Sequence, residues 1–309
     1  MNWLFIFLKG FAMGAANVIP GVSGGTVAFI TGIYERLIHA IKSFDLAALR
    51  MLKKKRIGDF IRHVDLLFLC VLGAGVVASV VSLAKVLEWA YANHEVHTSA
   101  LFFGLIALSI VSVAKMVKKW SLLCIFAALI GCAAAVSLAL IPQGEGSSEY
   151  WYLAICGAVA MCSMILPGVS GSFVLLLMGN YMLILNSVND LRALQLDKAL
   201  PIVIPVGVGA VVGVALLSRF LSWLFKAYHD LTTALITGFV AGSLYIIWPW
   251  KRLDMDKSLV VEGEVKGKVF ERLLPDFSQQ DNYIAIGFIL IGGAIMLLMD
   301  YLGRGKKHS

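Results

Sequence analysis

The sequence predicts an all-α polytopic membrane protein made of two inverted-topology repeats, each a re-entrant helical hairpin plus three transmembrane helices. Three observations predict it. Of 309 residues, 60% are hydrophobic and only 15% charged, against about 25% charged in a soluble domain, and mean hydropathy is +0.86. The apolar stretches are continuous for roughly 20 residues, the length of a membrane helix and about twice that of a barrel strand. The third observation is an internal repeat. Together these exclude a secreted disulfide scaffold, a disordered tail protein and most soluble enzymes. Cys70, Cys124, Cys132, Cys156 and Cys162 all lie in apolar stretches without a CxxC pair, so they read as small buried hydrophobes.

The elements follow in order. Full spans are predicted at about 65–90, 98–117, 121–141, 202–225, 233–250 and 283–302. Segments 3–42 and 150–188 are apolar but broken near the middle by Pro-Gly-x-Ser-Gly. Proline removes a donor and glycine loosens the backbone, so each segment reads as two short helices meeting at a turn. A hairpin of this kind enters and leaves on one face, with protein or water covering its exposed backbone.

The repeat is read from matched residues. Pro20-Gly21-Val22-Ser23-Gly24 recurs 147 residues on as Pro167-Gly168-Val169-Ser170-Gly171, and Gly32 and Tyr34 match Gly179 and Tyr181. At an offset of 134, Gly73, Gly75, Leu83 and Trp89 match Gly207, Gly209, Leu217 and Trp223, with Lys85 against Arg219. Thr98, Leu101 and Gly104 then match Thr232, Leu235 and Gly238 without a gap. Repeat 1 is 1–141 (re-entrant 3–42, interfacial basic segment 42–63, three spans). Repeat 2 is 142–309 (re-entrant 150–188, three spans, outer loop 251–281).

Three spans are an odd number, so the second repeat is inverted relative to the first. Charge supports that arrangement. With both termini cytoplasmic, the inner side collects 17 of 26 basic and 6 of 19 acidic residues, a net +11, and the outer side is left at −4. This obeys the positive-inside rule. Residues 42–63 alternate basic and apolar side chains and suit an amphipathic helix on an anionic leaflet. The alternation in SLVVEGEVKGKVFERL, within 251–281, reads as a small β-hairpin.

Breaking a helix at mid-membrane frees backbone groups where each unpaired one costs several kcal/mol. In the first break Ser23 is placed to cap a new helix, and the N–H groups of Gly24, Gly25 and Thr26 point out of its start. The second break offers Ser170, Gly171 and Ser172 in the same way. Inversion brings the turns face to face, so that helix starts and the hydroxyls of Ser23, Thr26, Ser170 and Ser172 surround one phosphate-sized anion. Pro20, Gly21, Pro167 and Gly168 shape the turns. Asn17 and Asn180 flank the breaks as caps for freed backbone, and Tyr34 and Tyr181 follow them as interfacial or packing residues. Glu35 and Arg36 lie at the inner end of the first hairpin, either as a functional pair (Arg36 guiding a phosphate, Glu35 carrying a coupling proton) or as an interfacial anchor.

Other classes are weighed on the same residues. Gly21-Val22-Ser23-Gly24 also spells the GxSG of rhomboid-type intramembrane proteases, and serine at a helix start suits an oxyanion hole. A nucleophile needs a base, yet all six histidines lie in loops, at span ends or in the tail. No catalytic residue, metal ligand set or cofactor is expected. The absence of a Walker loop leaves an ion or substrate gradient as the driving force. The basic run 50–56 lacks interleaved aromatics, so nucleic acid is not an expected partner.

The run KGFAMGAANVIPGVSGGTVAFITGIYERLI (9–38), with its echo PGVSGSFVLLLMGNY (167–181), resembles the bacterial and archaeal polyprenyl-phosphate transporters, and the likeness covers essentially the whole chain. The resemblance implies a flippase that returns undecaprenyl phosphate from the outer to the inner leaflet of the bacterial cytoplasmic (inner) membrane. It implies anionic membrane lipids as surroundings, a proton or sodium ion as coupling ion, and leaves a homodimer open. It matches Pro20, Gly21, Ser23, Gly24, Gly25, Thr26, Gly32, Tyr34 and Glu35 to one signature, and Pro167, Gly168, Ser170, Gly171, Gly179 and Tyr181 to the other. Phe173 stands where the first half has Thr26, so the second turn has one hydroxyl fewer. The residues by themselves indicate an anion-handling transporter, with a carrier or channel for a small soluble anion as the rival reading.

Overall fold

A computed structural model describes residues 3–18, 24–141, 144–167, 170–261 and 264–304. The chain is helical apart from one β-hairpin. In the first half α1 (Trp3–Val18), α2 (Gly24–Ile30) and α3 (Tyr34–Lys42) come first, followed by α4 (Leu46–Lys53) and α5 (Ile57–His63). The long helices α6 (Leu66–Asn93), α7 (Glu95–Ala114) and α8 (Leu122–Leu140) complete it. The second half contains α9 (Tyr150–Ile165), α10 (Gly171–Leu177), α11 (Tyr181–Arg192), α12 (Leu196–Ala227) and α13 (His229–Ser243). Strands β1 (Lys251–Val261) and β2 (Glu264–Arg272) precede α14 (Gln280–Arg304). Five helices are long and apolar enough to cross a membrane, or six if the bent pair α10–α11 counts as one span. The protein is therefore a multi-pass helical membrane protein.

Five of the six predicted full spans stand where the hydropathy places them, with shifted ends, while the sixth, 233–250, is a 15-residue helix outside the set long and apolar enough to cross a membrane. Helix α12 starts at Leu196 and carries Pro201 and Pro205 within it. Helix α13 stops at Ser243, short of the predicted 250, where the chain tightens into three-residue turns from Leu244 to Ile246. The predicted hairpin 251–281 is present, with Lys251 paired to Arg272 at its base. Lys251 also meets Glu95 at 3.3 Å, and Arg272 donates to the Tyr245 carbonyl at 2.7 Å, so the base of the hairpin is tied to the helical bundle.

Each broken segment holds three helices, not the two that were predicted. The extra break falls at Gly32 and Gly179, with φ of +71° and +73°. Left-handed backbone is cheap only for glycine. In both cases the next two amides turn back onto the helix. Gly32 and Ile33 donate to Phe29 and Ala28, while Gly179 and Asn180 donate to Leu176 and Leu175. This is the Schellman closure of a helix C-terminus. Beyond it α11 leaves α10 at 119°. The basic segment 42–63 is likewise two short helices where one was expected. Lys55 takes a left-handed φ of +56° between them. The fold-back lets Asp45, the side-chain N-cap of α4, also meet His63 at 3.2 Å. Leu46, Leu49, Leu52, Ile57 and Ile61 remain exposed on this pair.

Packing rests on small residues that let backbones touch. Helix α1 lies on α6, α9 on α12, α7 on α14 and α8 on α13. A side chain at Gly10 would strike the carbonyl of Leu72, and one at Gly157 would strike that of Val206. Gly10 matches Gly157 at the 147 offset, and Leu72 matches Val206 at the 134 offset. Gly104 and Gly238, matched at the 134 offset, likewise abut backbone, that of Ile289 and that of Ala128. Matching helices of the two halves thus meet through matching glycines. The deepest core surrounds α2 and α3, where Phe29, Tyr34 and Ile38 pack with Phe68, Ile106, Leu221, Phe225 and Val240. Outward-facing side chains such as Val81, Leu122, Val211 and Leu290 are exposed apolar groups, as a lipid-facing surface requires.

Two neighbouring glycines test this packing. A methyl at Gly207 meets nothing within 4 Å, whereas one at Gly209 collides with the Ala154 backbone. Gly207→Ala is expected to raise detergent thermal stability by up to about 1 kcal/mol through helix propensity. Gly209→Ala is expected to lower it by about 1–3 kcal/mol or more. Melting of the two purified variants checks the opposite signs.

Candidate functional site

The candidate site is built from the inner ends of the two hairpins. Helix α2 returns antiparallel to α1, held at both ends by α1 side chains. At its start Asn17 Oδ1 accepts from the Gly24 N–H at 2.7 Å. At its finish Lys9 Nζ donates to the Thr31 carbonyl at 2.6 Å. A cation at a helix C-terminus also complements the helix dipole. In the second hairpin the Tyr152 hydroxyl does the same work for α10, donating to the Met178 carbonyl at 2.9 Å. Lys9 was read from the sequence only as part of the inside-positive charge.

The two hairpins meet. A methyl group at Gly25 would lie 2.5 Å from the Ile165 carbonyl oxygen and 2.9 Å from that of Met164. The start of α2 is therefore pressed against the last carbonyls of α9. Gly24, Gly25 and Thr26 are all buried there. Beside this junction lies a cavity of about 320 Å³. Asn17 lines it from the first hairpin, and Ser170, Gly171, Ser172 and Tyr181 line it from the second. The rest of its wall is apolar and comes from α9, α10 and α12.

Ser170 occupies the N-cap position of α10 in extended backbone, but its side chain makes no cap bond. Its Oγ lies 2.7 Å from Ser172 Oγ instead. The two hydroxyls form a pair at the polar end of the cavity. A hydroxyl donates one proton and accepts two, so a bound oxyanion can recruit both. Gly171 packs against Met164 and the Ala160 carbonyl, where a methyl would come within 2.6 Å of the Met164 side chain.

Not every predicted residue comes here. Pro20, Gly21, Ser23 and Gly168 lie outside the described residues, so the expected cap by Ser23 does too. Pro167 is buried at the end of the turn. Thr26 is buried without lining the cavity. Tyr34 is a core residue, edge-on to Phe29 at 5.2 Å and to Phe225 at 6.0 Å. Asn180 does not cap the break. It is buried and pairs with the backbone of Ser147, accepting at 3.0 Å and donating at 2.8 Å, so it pins the segment leading into α9.

Glu35 and Arg36 do not line the cavity either. Arg36 forms a two-pronged pair with Asp65, at 2.6 and 3.0 Å, and its guanidinium lies 4.2 Å from the centre of the Phe68 ring. This joins α3 to the start of α6. Glu35 meets His229 Nε2 at 3.1 Å, and His229 Nδ1 meets Asp230 at 3.3 Å. Asp230 in turn accepts from the amides of Lys118 and Lys119, at 3.3 and 3.1 Å. These backbone donors, together with His229, hold the Asp230 carboxyl below its ordinary pKa despite the opposing desolvation. The Glu35–His229–Asp230 chain ties α3 to α13 and to the loop before α8. Histidine at a span end next to a carboxylate-bearing helix was the only sequence signal for it.

A family model described as undecaprenyl phosphate translocase-like matches residues 13–261. The chain belongs to that family. A polyprenyl-phosphate transporter of Vibrio cholerae serotype O1 is 39% identical over 251 residues, covering 81% of this chain and 79% of the relative. A polyprenyl-phosphate transporter of Staphylococcus aureus is 29% identical over 262 residues, covering 80% and 87%. No solved structure matches the chain. The family match begins within α1 and ends with β1, so it takes in every residue of the cavity.

The Arg36–Asp65 pair yields a stability prediction. Arg36→Ala and Asp65→Ala should each lower the detergent melting temperature, and the double variant should lower it no further than the worse single one. Both side chains are about one-third exposed, so solvent screening keeps the expected coupling near 1 kcal/mol. A double-mutant melting cycle measures it.

Proposed function

We propose that this protein is a flippase for undecaprenyl phosphate, carrying it from the outer to the inner leaflet of the bacterial cytoplasmic membrane. The observation that carries the reading is the cavity where the two hairpins meet. It is lined by Asn17, Ser170, Ser172 and Tyr181 and is otherwise apolar. A lipid monophosphate has this division, with an oxyanion head and an apolar tail. Neutral donors receive the head without a fixed charge that would be costly at mid-membrane. The two named relatives are polyprenyl-phosphate transporters, which supports the substrate class. The inside-positive charge supports cytoplasmic termini. A carrier for a small soluble anion is the rival, and the apolar wall argues against it. The protein is read as a transporter and not as an enzyme.

Alternating access between two inverted halves is the proposed mechanism. The matched glycine contacts support the repeats, and a difference between the halves supports the alternation. Helix α3 of the first hairpin packs on α12 of the second half. It does so through the Tyr34–Phe225 ring contact and Lys42 donating to Ser222 at 3.1 Å, and Glu35 meets His229 at the start of α13 beside them. Its counterpart α11 packs on α12 of its own half and has no comparable seat on α6. Two like halves in unlike arrangements describe one end state of a rocking cycle, and exchanging the arrangements describes the other. In that exchanged state Tyr181 of α11 meets Tyr91 of α6, the residue matching Phe225 at the 134 offset.

Two experiments test these readings. In reconstituted vesicles the protein is expected to move fluorescent polyprenyl phosphate between leaflets without conducting chloride or inorganic phosphate. Ser170→Ala with Ser172→Ala should slow that movement by about tenfold or more, since a hydrogen bond to a charged group is worth about 1.5–3 kcal/mol. Rapid chloride or phosphate flux without lipid movement would reject the lipid reading. For the mechanism, Tyr91→Cys with Tyr181→Cys, in a chain whose five native cysteines are replaced, should form a disulfide that arrests transport until reduced. Failure to cross-link during turnover would remove the exchange model.

A further inference from the structure

We propose that the apolar wall of this cavity recognises the isoprene units next to the phosphate, with Met161, Met164 and Ala210 setting which lipid phosphates are accepted. The inference rests on the lipid-phosphate reading above and adds to it a specificity site for the tail.

The wall is a continuous stripe. Gly157, Ala160, Met161 and Met164 line the cavity from α9, and their spacing of three, four and seven residues puts them on one helix face. Val206 and Ala210 line it from α12, four residues apart and again on one face. The two stripes converge where Gly157 abuts the Val206 carbonyl, so backbone contact closes the groove at that point. Met164 is 40% exposed and Ser172 is exposed, so the groove is open on its side beside them, where a tail can leave for the lipid. A ligand whose head sits on Ser170 and Ser172 must therefore run its first carbons past Met164 and Met161.

Volume limits how much of the tail is read. A cavity of about 320 Å³ is at the small end of the range for ligand pockets, ~300–1,000 Å³. It takes a phosphate and the start of a chain, while the remainder of a long prenyl tail lies in lipid. Selection on the tail is thus confined to the head-proximal units. The wall chemistry suits unsaturated, methyl-branched units better than a straight alkyl chain. Two methionines supply flexible, polarizable thioethers that mould to an irregular shape and to π-electron density. Gly157, Ala160 and Ala210 leave room for branch methyls between the larger Leu175 and Val206. A methyl group gained or lost in such a pocket discriminates about 10–200-fold.

The test uses full-length protein in detergent with three probes: farnesyl phosphate, hexadecyl phosphate and inorganic phosphate. Affinities are read from the shift in thermal unfolding. The intact protein should bind farnesyl phosphate at least tenfold more tightly than hexadecyl phosphate. Ala210→Phe fills the groove and should weaken farnesyl phosphate at least tenfold while leaving inorganic phosphate unchanged. If Ala210→Phe does not fold, Ala210→Leu takes its place. Met161→Ala with Met164→Ala should erase the preference for farnesyl over hexadecyl phosphate. Equal binding of the two lipids by the intact protein, or undiminished farnesyl phosphate binding by the filled groove, overturns the specificity proposal alone. If neither lipid phosphate binds the intact protein better than inorganic phosphate, the underlying lipid-phosphate reading falls as well.

Discussion

The constraint on which this fold depends is that a helix broken inside an apolar slab must find hydrogen-bond partners for the groups it frees. Water is scarce there, and each unpaired amide or carbonyl costs several kcal/mol. The chain meets the constraint with side chains from the neighbouring helix. Asn17 takes the first amide of α2, Lys9 the carbonyl just beyond its end, and Tyr152 the carbonyl just beyond α10. The Schellman closures at Gly32 and Gly179 take two more amides in each half. Once these ends are satisfied, polar groups can stand at mid-membrane without unravelling the bundle. Ser170 and Ser172, whose hydroxyls bond to one another, are left at the cavity where a ligand can reach them.

Packing makes that arrangement rigid where it must be and variable where function needs it. Glycine contacts tie α1 to α6 and α9 to α12 in the same way in both halves. Backbone-to-backbone contact of this kind tolerates little relative movement, so each outgoing hairpin arm and its long partner act as one body. The trailing helices α3 and α11 are placed differently in the two halves. Helix α3 has crossed to α12, whereas α11 has stayed with its own half. The contacts that hold α3 are polar or aromatic and lie near helix ends. Such contacts are exchanged more readily than close backbone contacts, which is the physical basis of the moving element in the proposed rocking cycle.

Much of the fold was legible in the sequence, and the reason is that membrane insertion is read locally. Twenty apolar residues imply a span wherever they occur, so five of the six predicted spans were placed with errors only at their ends, and only 233–250 fell short of span length. The β-hairpin followed from its alternation. The matched residues of the two halves include glycines that make close backbone contacts, among them Gly10 with Gly157 and Gly75 with Gly209. Signals were also present and under-read. Gly32 and Gly179 were matched as a pair, yet only their left-handed backbone revealed that each broken segment bends twice. Lys55 likewise split a segment that composition alone made look like one helix.

The sequence by itself determined that this is a helical membrane protein, where its helices break, and which polar residues stand at the breaks. Those properties depend on neighbours a few positions away. Only the tertiary structure decided how the polar residues are used. Arg36 finds Asp65 at a separation of 29 residues and Glu35 finds His229 at 194, which draws both away from the cavity. Asn17 is brought alongside Ser170 and Ser172 by the meeting of two distant hairpins. Side chains of one type differ little in intrinsic chemistry. Their roles are assigned by what the fold sets within hydrogen-bonding distance, and no local pattern carries that information.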